Sequence, residues 1–549
     1  MPLPRTILDR SGHADLDLVL AHGEWPEGLD GALFLSASDP ATAPRHAFFG
    51  DGVALRLDLR PGLDGTWAWR HRIVDTPSRR LREARPGAFQ GGAYGWSSPF
   101  GFSNSANTAP LPWGDRLFLT WDAGRPVEVD PVSLGFLGEV GHRDSWGPQA
   151  FDHPVLPFLP STAHPVVDVE RDCMWTVVHD PLSGALSVVR WDGESTTVQR
   201  WPVAGAALRQ SIHTVAQTRD WLVLVDCAFR ADPAEIFGGE RELTNLVEEP
   251  VWLVRKDAVE ATPPGEPVEP AAVLVARPEV NHYYAVWDDT DGVRVIFEHT
   301  PDTDLAMALR AGDVDATGAP VDPRLHGMYN HPMAPTLLAE HVLDVERGEV
   351  REVARAADPE RWWATQLSAM DWSPAGLAAP TVHHLLCTGW RPDAVCERAL
   401  DLYRDRVDRA ALPRDEVPAA LVTFDRGSLQ ERATYAFAAD EYPTSPSFVP
   451  RPGGEPGGHD GWVVVPVLHD DAFRVEVFDA SDTGAGPVAG LRAPAGATVP
   501  FLVHSAWGPS VRPADAGAHE RLRFADELDP DRVASLPDDL AAAVREVVE

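Results

Sequence analysis

The stretch LRLDLRPGLDGTWAWRHRIV, Leu55–Val74, decides the fold. LRLDL and TWAWRHRIV are short runs rich in Leu, Trp and Val on either side of a turn signal, the signature of two strands. Between them Pro61, Gly62 and Gly65 break any regular element, so the chain reads as a hairpin turning at Pro61–Gly65. The predicted strands are Val53–Leu59 and Thr66–Val74. A second hairpin is read in VVVPVLHDDAFRVEVFDA, turning at His469–Asp471.

Outward from these hairpins the same signature recurs: Ala32–Ser36, Arg116–Trp121, Met174–Val178, Trp221–Phe229, Val251–Val254, Val293–Glu298, Leu421–Phe424, Trp462–Leu468 and Phe473–Phe478. Each is a short run rich in Val, Leu, Phe and Trp, closed by Gly, Pro or Asp. Helical periods are scarce, confined to about 303–312, 392–409 and a tail at about 531–548. Strands throughout, without the alternation of a parallel α/β sheet, predict an all-β propeller or a set of sandwiches. No crisp internal repeat marks the blades. The Pro/Gly-rich stretches 261–270 and 450–460 read as surface loops, so residues 1–549 are expected to form a single domain with a C-terminal helical tail.

Composition narrows the function. The 549 residues are 44 % hydrophobic and 24 % charged, and the net charge of −36 opposes nucleic-acid binding, which needs clustered cations. Lys256 is the sole lysine, which disfavours mechanisms that require one elsewhere. The four cysteines, Cys173, Cys227, Cys387 and Cys396, have neither metal-ligand spacing nor the density of a disulfide framework. The opening MPLPRTILDRSGHADLD lacks the apolar core of a secretory signal, and no apolar run reaches membrane-spanning length. A cytoplasmic location is expected.

Twenty histidines are present, and most will be core or surface groups. Four stand at strand edges: His164 in STAHPVVD, His213 in SIHTVAQTRDWLVLVD, His282 in VNHYYAVWDDTDGVRVIF and His504 in VPFLVHSAWG. Their separations of 49, 69 and 222 residues match no local metal motif, so spacing alone does not select them.

A family resemblance does. GEWPEGLDGALF and HAFFGDGVALRLDL are similar to the opening blade of the carotenoid cleavage oxygenases, a family that includes retinoid isomerohydrolases and lignostilbene dioxygenases. SNSANTAPLPWGDRLFLTWDAGRPVEVDPVSLGFLG resembles the next block, and TAHPVVD, IHTVAQT and VNHYYAVWDD follow in the order of the first three iron histidines. FVPRPGG, HDGWVVVPVLHD, VEVFDASD, GPVAGLRAP and VPFLVHSAWG resemble the closing blade and the fourth histidine. These blocks bracket residues 23–508. There are departures. LSASDP replaces the usual Arg-Asn-Gly-Pro of the opening block, and HYYAVWDD matches the third-histidine context loosely. Of the carboxylates that support the iron histidines, Asp122 in LTWDAG matches one as a shorter side chain. PTSPSFVP lacks another, Glu441 coming several residues too early, and a further one finds no match.

The resemblance implies a seven-bladed β-propeller with a dome of loops and helices over an axial Fe(II) held by His164, His213, His282 and His504, with Asp122 supporting one histidine. Four neutral imidazoles leave two positions on an octahedral ion. Zinc would also accept histidine, but its sites usually include thiolate or only three protein ligands. The implied reaction is cleavage of a carbon–carbon double bond in an apolar alkene, a carotenoid or apocarotenoid, with O2, giving two carbonyl products. A stilbene-type phenolic substrate is disfavoured because Lys256 lies far from the matching region. The alternatives are a redox-neutral isomerase or hydrolase of the same family and a non-catalytic propeller that serves as a binding module. Neither a nucleotide-binding motif nor an obligate protein partner is inferred. Candidate tunnel aromatics are Phe89, Tyr94, Trp96, Phe100, Phe102, Tyr283, Tyr284 and Trp507, with ordinary core packing as the competing role. Phe151–Leu159 reads either as an entrance lip making transient membrane contact or as a buried loop.

Overall fold

The computed structural model describes residues 3–4, 8, 12–42, 45–89, 95–147, 151–230, 232, 234, 239–289, 292–364, 366–470, 472–515, 517 and 519–548. Five separate sheets each contain four antiparallel strands that follow one another in the chain. One, for example, runs Val280–Ala285, Val293–His299, Leu337–Asp344, Glu349–Ala357. Such meanders, repeated around an axis, are propeller blades. The fold is all-β with a β-propeller arrangement.

The count of seven separate blades is not what the sheets show. Ten further strands, drawn from both chain ends, form one continuous sheet. The strand His13–Gly23 is the reason. Its first half pairs with Trp67–Ile73, from His13↔Arg72 to Leu18↔Trp67. Its second half pairs with Pro487–Arg492, from Val19↔Arg492 to Gly23↔Ala489, with the register shifting between Leu20 and His22. One strand thus ties the N-terminal strands to the C-terminal ones. Ala32–Ser38 likewise pairs with Phe501–Gly508.

Within each four-stranded sheet, burial follows position. Central strands are buried on both faces, as in Trp221–Val225, whereas last strands such as Glu349–Ala357 and Glu431–Ala436 are largely exposed. First strands are short and abut one another: Val166–Asp168 lies beside Val215–Gln217, which lies beside Val280–Ala285. These form the inner ring, and they position the site.

The first predicted hairpin is observed as Gly52–Asp58 and Trp67–Ile73, in register Leu57↔Trp69 to Val53↔Ile73. The second joins Gly461–His469 to Ala472–Asp479, and Asp471 in its turn lies outside the described residues. Two helix expectations need correction. Residues 303–312 are not helical, and Leu305, Met307 and Leu309 are buried in the core from an irregular segment. In 392–409 the only α-helix is Glu397–Leu402, after a 3-10 turn at Pro392–Ala394. The tail is helical but divided into Pro530–Ala534 and Asp538–Val548, because Pro537 has no N–H to continue the first helix. Its Val533 and Val544 pack with Leu81, Phe89 and Phe100.

Candidate metal centre

The four histidines predicted as ligands come together. His164 precedes Val166–Asp168 and bridges in parallel to Thr214, its N–H donating to the His213 carbonyl at 3.2 Å. His213 sits just ahead of Val215–Gln217, His282 lies at a register shift in Val280–Ala285, and His504 lies within Phe501–Gly508. All four are thus on, or immediately before, inner-ring strands, where side chains from different sheets face the same axis. One ring nitrogen from each lies within 4.8 Å of those of the other three.

Two carboxylates stand beside the rings. Asp122 oxygens lie 2.9 and 3.1 Å from His213 Nδ1, and one of them also accepts the Ala163 N–H at 3.1 Å. Glu298 Oε2 lies 3.2 Å from His282 Nδ1, and the other Glu298 oxygen accepts the Ser368 hydroxyl. Asp122 therefore favours a proton on Nδ1 of His213, leaving its Nε2 free to face the centre. The Nε2 atoms of His213 and His282 are 3.2 Å apart. His164 Nε2 is buried without a hydrogen-bond partner. Burial, then the neighbouring histidines, push His164 and His504 well below the usual imidazole range, so both are neutral. Such a donor set fits a divalent cation, with two nearby carboxylates offsetting its charge.

A cavity of about 470 Å3 reaches His213, His282 and His504. The consecutive residues Phe48 and Phe49 send their rings into two aromatic clusters along it. Phe49 packs with Trp96 and Trp121, which continue to Phe102 and Phe158. Phe48 stacks on Tyr329 at 5.1 Å and meets Phe501. Behind them His46 accepts the Phe48 N–H at Nδ1, and its Nε2 lies 3.1 Å from the Leu305 and Ala306 carbonyls. The cavity meets solvent at Leu182, Arg209 and Leu243, of which Leu182 is 73 % exposed.

Residues 9–509 match the family described as retinal pigment epithelial membrane protein, RPE65. The chain belongs to this family, the carotenoid cleavage oxygenases. Among curated relatives, the chloroplastic carotenoid cleavage dioxygenase 7 of Oryza sativa subsp. japonica is 34 % identical over 113 residues, 18 % of each chain. The apocarotenoid-15,15'-oxygenase of Synechocystis is 28 % identical over 160 residues, 27 % of this chain and 30 % of that one. The matched stretches thus span less than a third of either relative. Solved structures of a Synechocystis apocarotenoid oxygenase, one a glutamate-to-glutamine variant and one cobalt-substituted, share the fold. Each has a TM-score of 0.63 and covers 92 % of this chain and 98 % of that chain, at 19 % and 18 % identity. The named relatives in this family are carotenoid and apocarotenoid oxygenases, and the family also holds isomerohydrolases.

Within this carotenoid oxygenase scaffold, Asp122 lies against His213, and Glu298, which the sequence reading did not single out, lies beside His282. Glu441 is occupied elsewhere, with the Ala438 N–H and Arg474. Around Ser505, next to His504, the structure has hydroxyls instead: Ser505 Oγ bonds Ser447 Oγ at 2.8 Å, and the Ser505 N–H donates to Ser445 Oγ at 3.0 Å. Of the expected tunnel aromatics, Trp96 and Phe102 line the cavity. Phe89 and Phe100 pack together under the tail helices, and Tyr283 is buried with its hydroxyl on backbone groups. Tyr284 packs on Trp372, Trp507 Nε1 donates to the Asp30 carbonyl, and Tyr94 lies outside the described residues. Phe151 and Phe158 also line the cavity, and Val155, Leu156 and Leu159 are buried, so the apolar side chains of that segment turn inward. Among the described residues no helix is long and apolar enough to cross a membrane.

Proposed function

We propose that this chain is a non-haem iron(II) dioxygenase that cleaves a double bond of an apolar conjugated alkene, a carotenoid or apocarotenoid. The observation that carries this reading is the convergence of ring nitrogens from four histidines, all within 4.8 Å of one another, at an aromatic-walled cavity. His164, His213, His282 and His504 would hold the iron, and four neutral imidazoles leave it a full +2 charge. When bound, the ion supplies O2 activation, chemistry that protein side chains alone lack. The chain's own residues do the rest. Asp122 would hold the Nδ1 proton of His213 and so its ring direction, while the Glu298 carboxylate stands beside Nδ1 of His282. Trp96, Trp121, Phe49 and Phe158 exclude water and hold the alkene by apolar contact. In the overall reaction both atoms of O2 end in the products, one in each new carbonyl.

Several further features support the picture. The ten-stranded sheet reads as two blades joined by His13–Gly23, which would bring the propeller to seven. The loops carrying Phe48, Phe158 and Tyr329 would then form the dome. Lys256, the sole lysine, is fully buried and bonded to Asp168, Gln217 and the Thr218 carbonyl, which weighs against lysine-gripped phenolic substrates. Exposed Leu182 and Leu243 at the cavity rim suit transient membrane contact as a route for an apolar substrate, and the four free, buried cysteines suit a reducing cytoplasm. The net charge still argues against nucleic acid.

Metal analysis together with turnover under 18O2 tests the reading. About one iron per chain is expected, lost in each single His-to-Ala variant, with one labelled oxygen in each aldehyde after rapid reductive trapping. Stoichiometric zinc that iron cannot replace would reject it, and unlabelled products would point to the isomerohydrolase alternative.

A further inference from the structure

Glu298 is fully buried, and a different sheet from its own supports it. His282 and Glu298 lie directly opposite each other on Val280–Ala285 and Val293–His299, the first two strands of one sheet. One Glu298 oxygen stands 3.2 Å from His282 Nδ1, and the other accepts the hydroxyl of Ser368. Ser368 belongs to Gln366–Ala369, the first strand of another four-stranded sheet, whose Leu367 lines the cavity. The Ser368 oxygen also lies 2.7 Å from Nε2 of His383, on the second strand of that sheet, Val382–Cys387. Ser368 pairs with Leu385, so His383 is its diagonal neighbour on the same face. A carboxylate only accepts, so the Ser368 hydroxyl donates to Glu298 and takes the His383 Nε2–H in return. The Tyr284 phenol stands beside Ser368 and Glu298 as well, and its ring centroid is 6.2 Å from that of the fully buried His383. Apolar side chains would join two sheets at no desolvation cost, so a carboxylate, a hydroxyl and an imidazole in series at this boundary point to a role beyond packing.

We propose that Ser368 and His383 are positioning residues of the metal centre: from the adjacent sheet they hold Glu298 against His282 and so set how tightly the four histidines keep a divalent cation. The inference rests on the metal-binding part of the function proposed above and adds to it two residues that touch neither metal nor substrate. Its physical basis is side-chain entropy. A glutamate left to itself spreads over several rotamers, and ordering it costs free energy each time the His282 ring is to be held. Ser368 meets that cost during folding, because its hydroxyl fixes the carboxylate, and His383 fixes the hydroxyl. The His282 ring is then held with Nδ1 towards Glu298 before any cation arrives, and its other nitrogen is left for the ion. The metal centre thus depends on a contact between two sheets, not on His282 and its own sheet alone.

Retention of Fe(II) and Co(II) by the whole chain against a graded chelator, under anaerobic conditions, provides the test, with the visible spectrum of the Co(II) form recorded on the same samples. Ser368→Ala and His383→Leu should each lower metal affinity about tenfold or more and shift the Co(II) bands. Ser368→Thr and His383→Gln, which restore a hydroxyl and an N–H donor, should recover most of both effects. Thr423→Val is the control. It breaks a comparable buried bond, 2.9 Å from the Thr423 hydroxyl to Nδ1 of the neighbouring His384, without touching Glu298, and should leave retention unchanged. Unchanged retention in both Ser368→Ala and His383→Leu would overturn the proposal. So would losses that the conservative variants fail to recover or that Thr423→Val matches, since those mark a loosened fold. O2 uptake with an apocarotenoid, followed in parallel, keeps the two readings apart. A wild type that shows the predicted metal losses in its variants but never consumes O2 rejects the dioxygenase reading alone. One that consumes O2 while its variants hold metal equally well rejects the positioning role alone, and one that retains neither ion overturns both.

Discussion

Asp122 hydrogen-bonds Nδ1 of His213 and the Glu298 carboxylate stands 3.2 Å from Nδ1 of His282, and the two come from different places in the chain. Replacing Glu298 with Gln keeps the size but removes the charge that favours the Nδ1–H tautomer. Loss of such a partner lowers metal affinity by about 10- to 100-fold. The same fall is expected for Asp122→Asn, read as iron retained against a graded chelator, and unchanged retention would show that these carboxylates do not orient the rings. The sequence exposed the two unequally. Asp122 was visible through the resemblance of LTWDAG, whereas Glu298 sits in no matching block. Its signal was the hairpin register. Counting outward from the turn, Tyr284 faces Ile296 and His282 faces Glu298, so a carboxylate beside the third histidine could have been found by pairing the strands. Lys256 makes the opposite point. Its rarity was legible, but its burial against Asp168 at 2.8 Å was not. Lys256→Ala leaves that carboxylate buried without its main partner and should destabilise the fold by about 3–5 kcal/mol in denaturant titration.

Among the elements, legibility followed burial. Most of the strands read from sequence are buried on both faces, such as Cys173–His179 and Trp221–Val225, which appear as continuous apolar runs, while Trp67–Ile73 is buried on one face. Val166–Asp168 showed only as a strand edge beside His164, and Val215–Gln217 was missed, both being too short to carry a period; the outer strands Gln199–Ala207 and Glu431–Ala436, with few or no fully buried residues, were missed as well. Losing the first and last strand of each sheet also hides the repeat, which is why the propeller needed the family resemblance. The strand His13–Gly23 is mostly exposed, with Leu18 its one fully buried side chain. If that strand joins the chain ends through Leu18, Leu18→Ala should cost about 2–5 kcal/mol. Leu20→Ala, at a position 41 % exposed, should change stability by less than about 0.5 kcal/mol. Equal effects in thermal unfolding would show that closure does not depend on that contact.

At the scale of the whole molecule, the propeller buries many histidines that the metal centre does not use, and this makes its stability pH-dependent. His46 and His384 are fully buried and His179 is partly buried, and burial lowers each from the ordinary 6.5 to about 4. His46 is the most consequential because it supports Phe48 and Phe49 at the junction of the two aromatic clusters. Its Nε2 donates to the Leu305 or Ala306 carbonyl and its Nδ1 accepts the Phe48 N–H, a pattern that only the neutral ring can complete. The unfolded chain takes up this proton near pH 6.5, whereas the folded protein resists until about pH 4. Unfolding therefore gains one proton between those values. Stability from this group is full above pH 6.5 and is lost as pH falls towards 4, at about 1.4 kcal/mol per pH unit. His46→Gln removes the titration, so its unfolding free energy, followed by guanidinium titration from pH 7 to 4.5, should fall less steeply than that of the wild type by about that slope. Parallel pH profiles would mean that His46 is already protonated in the folded protein, and the packing of Phe48 and Phe49 would then need another support.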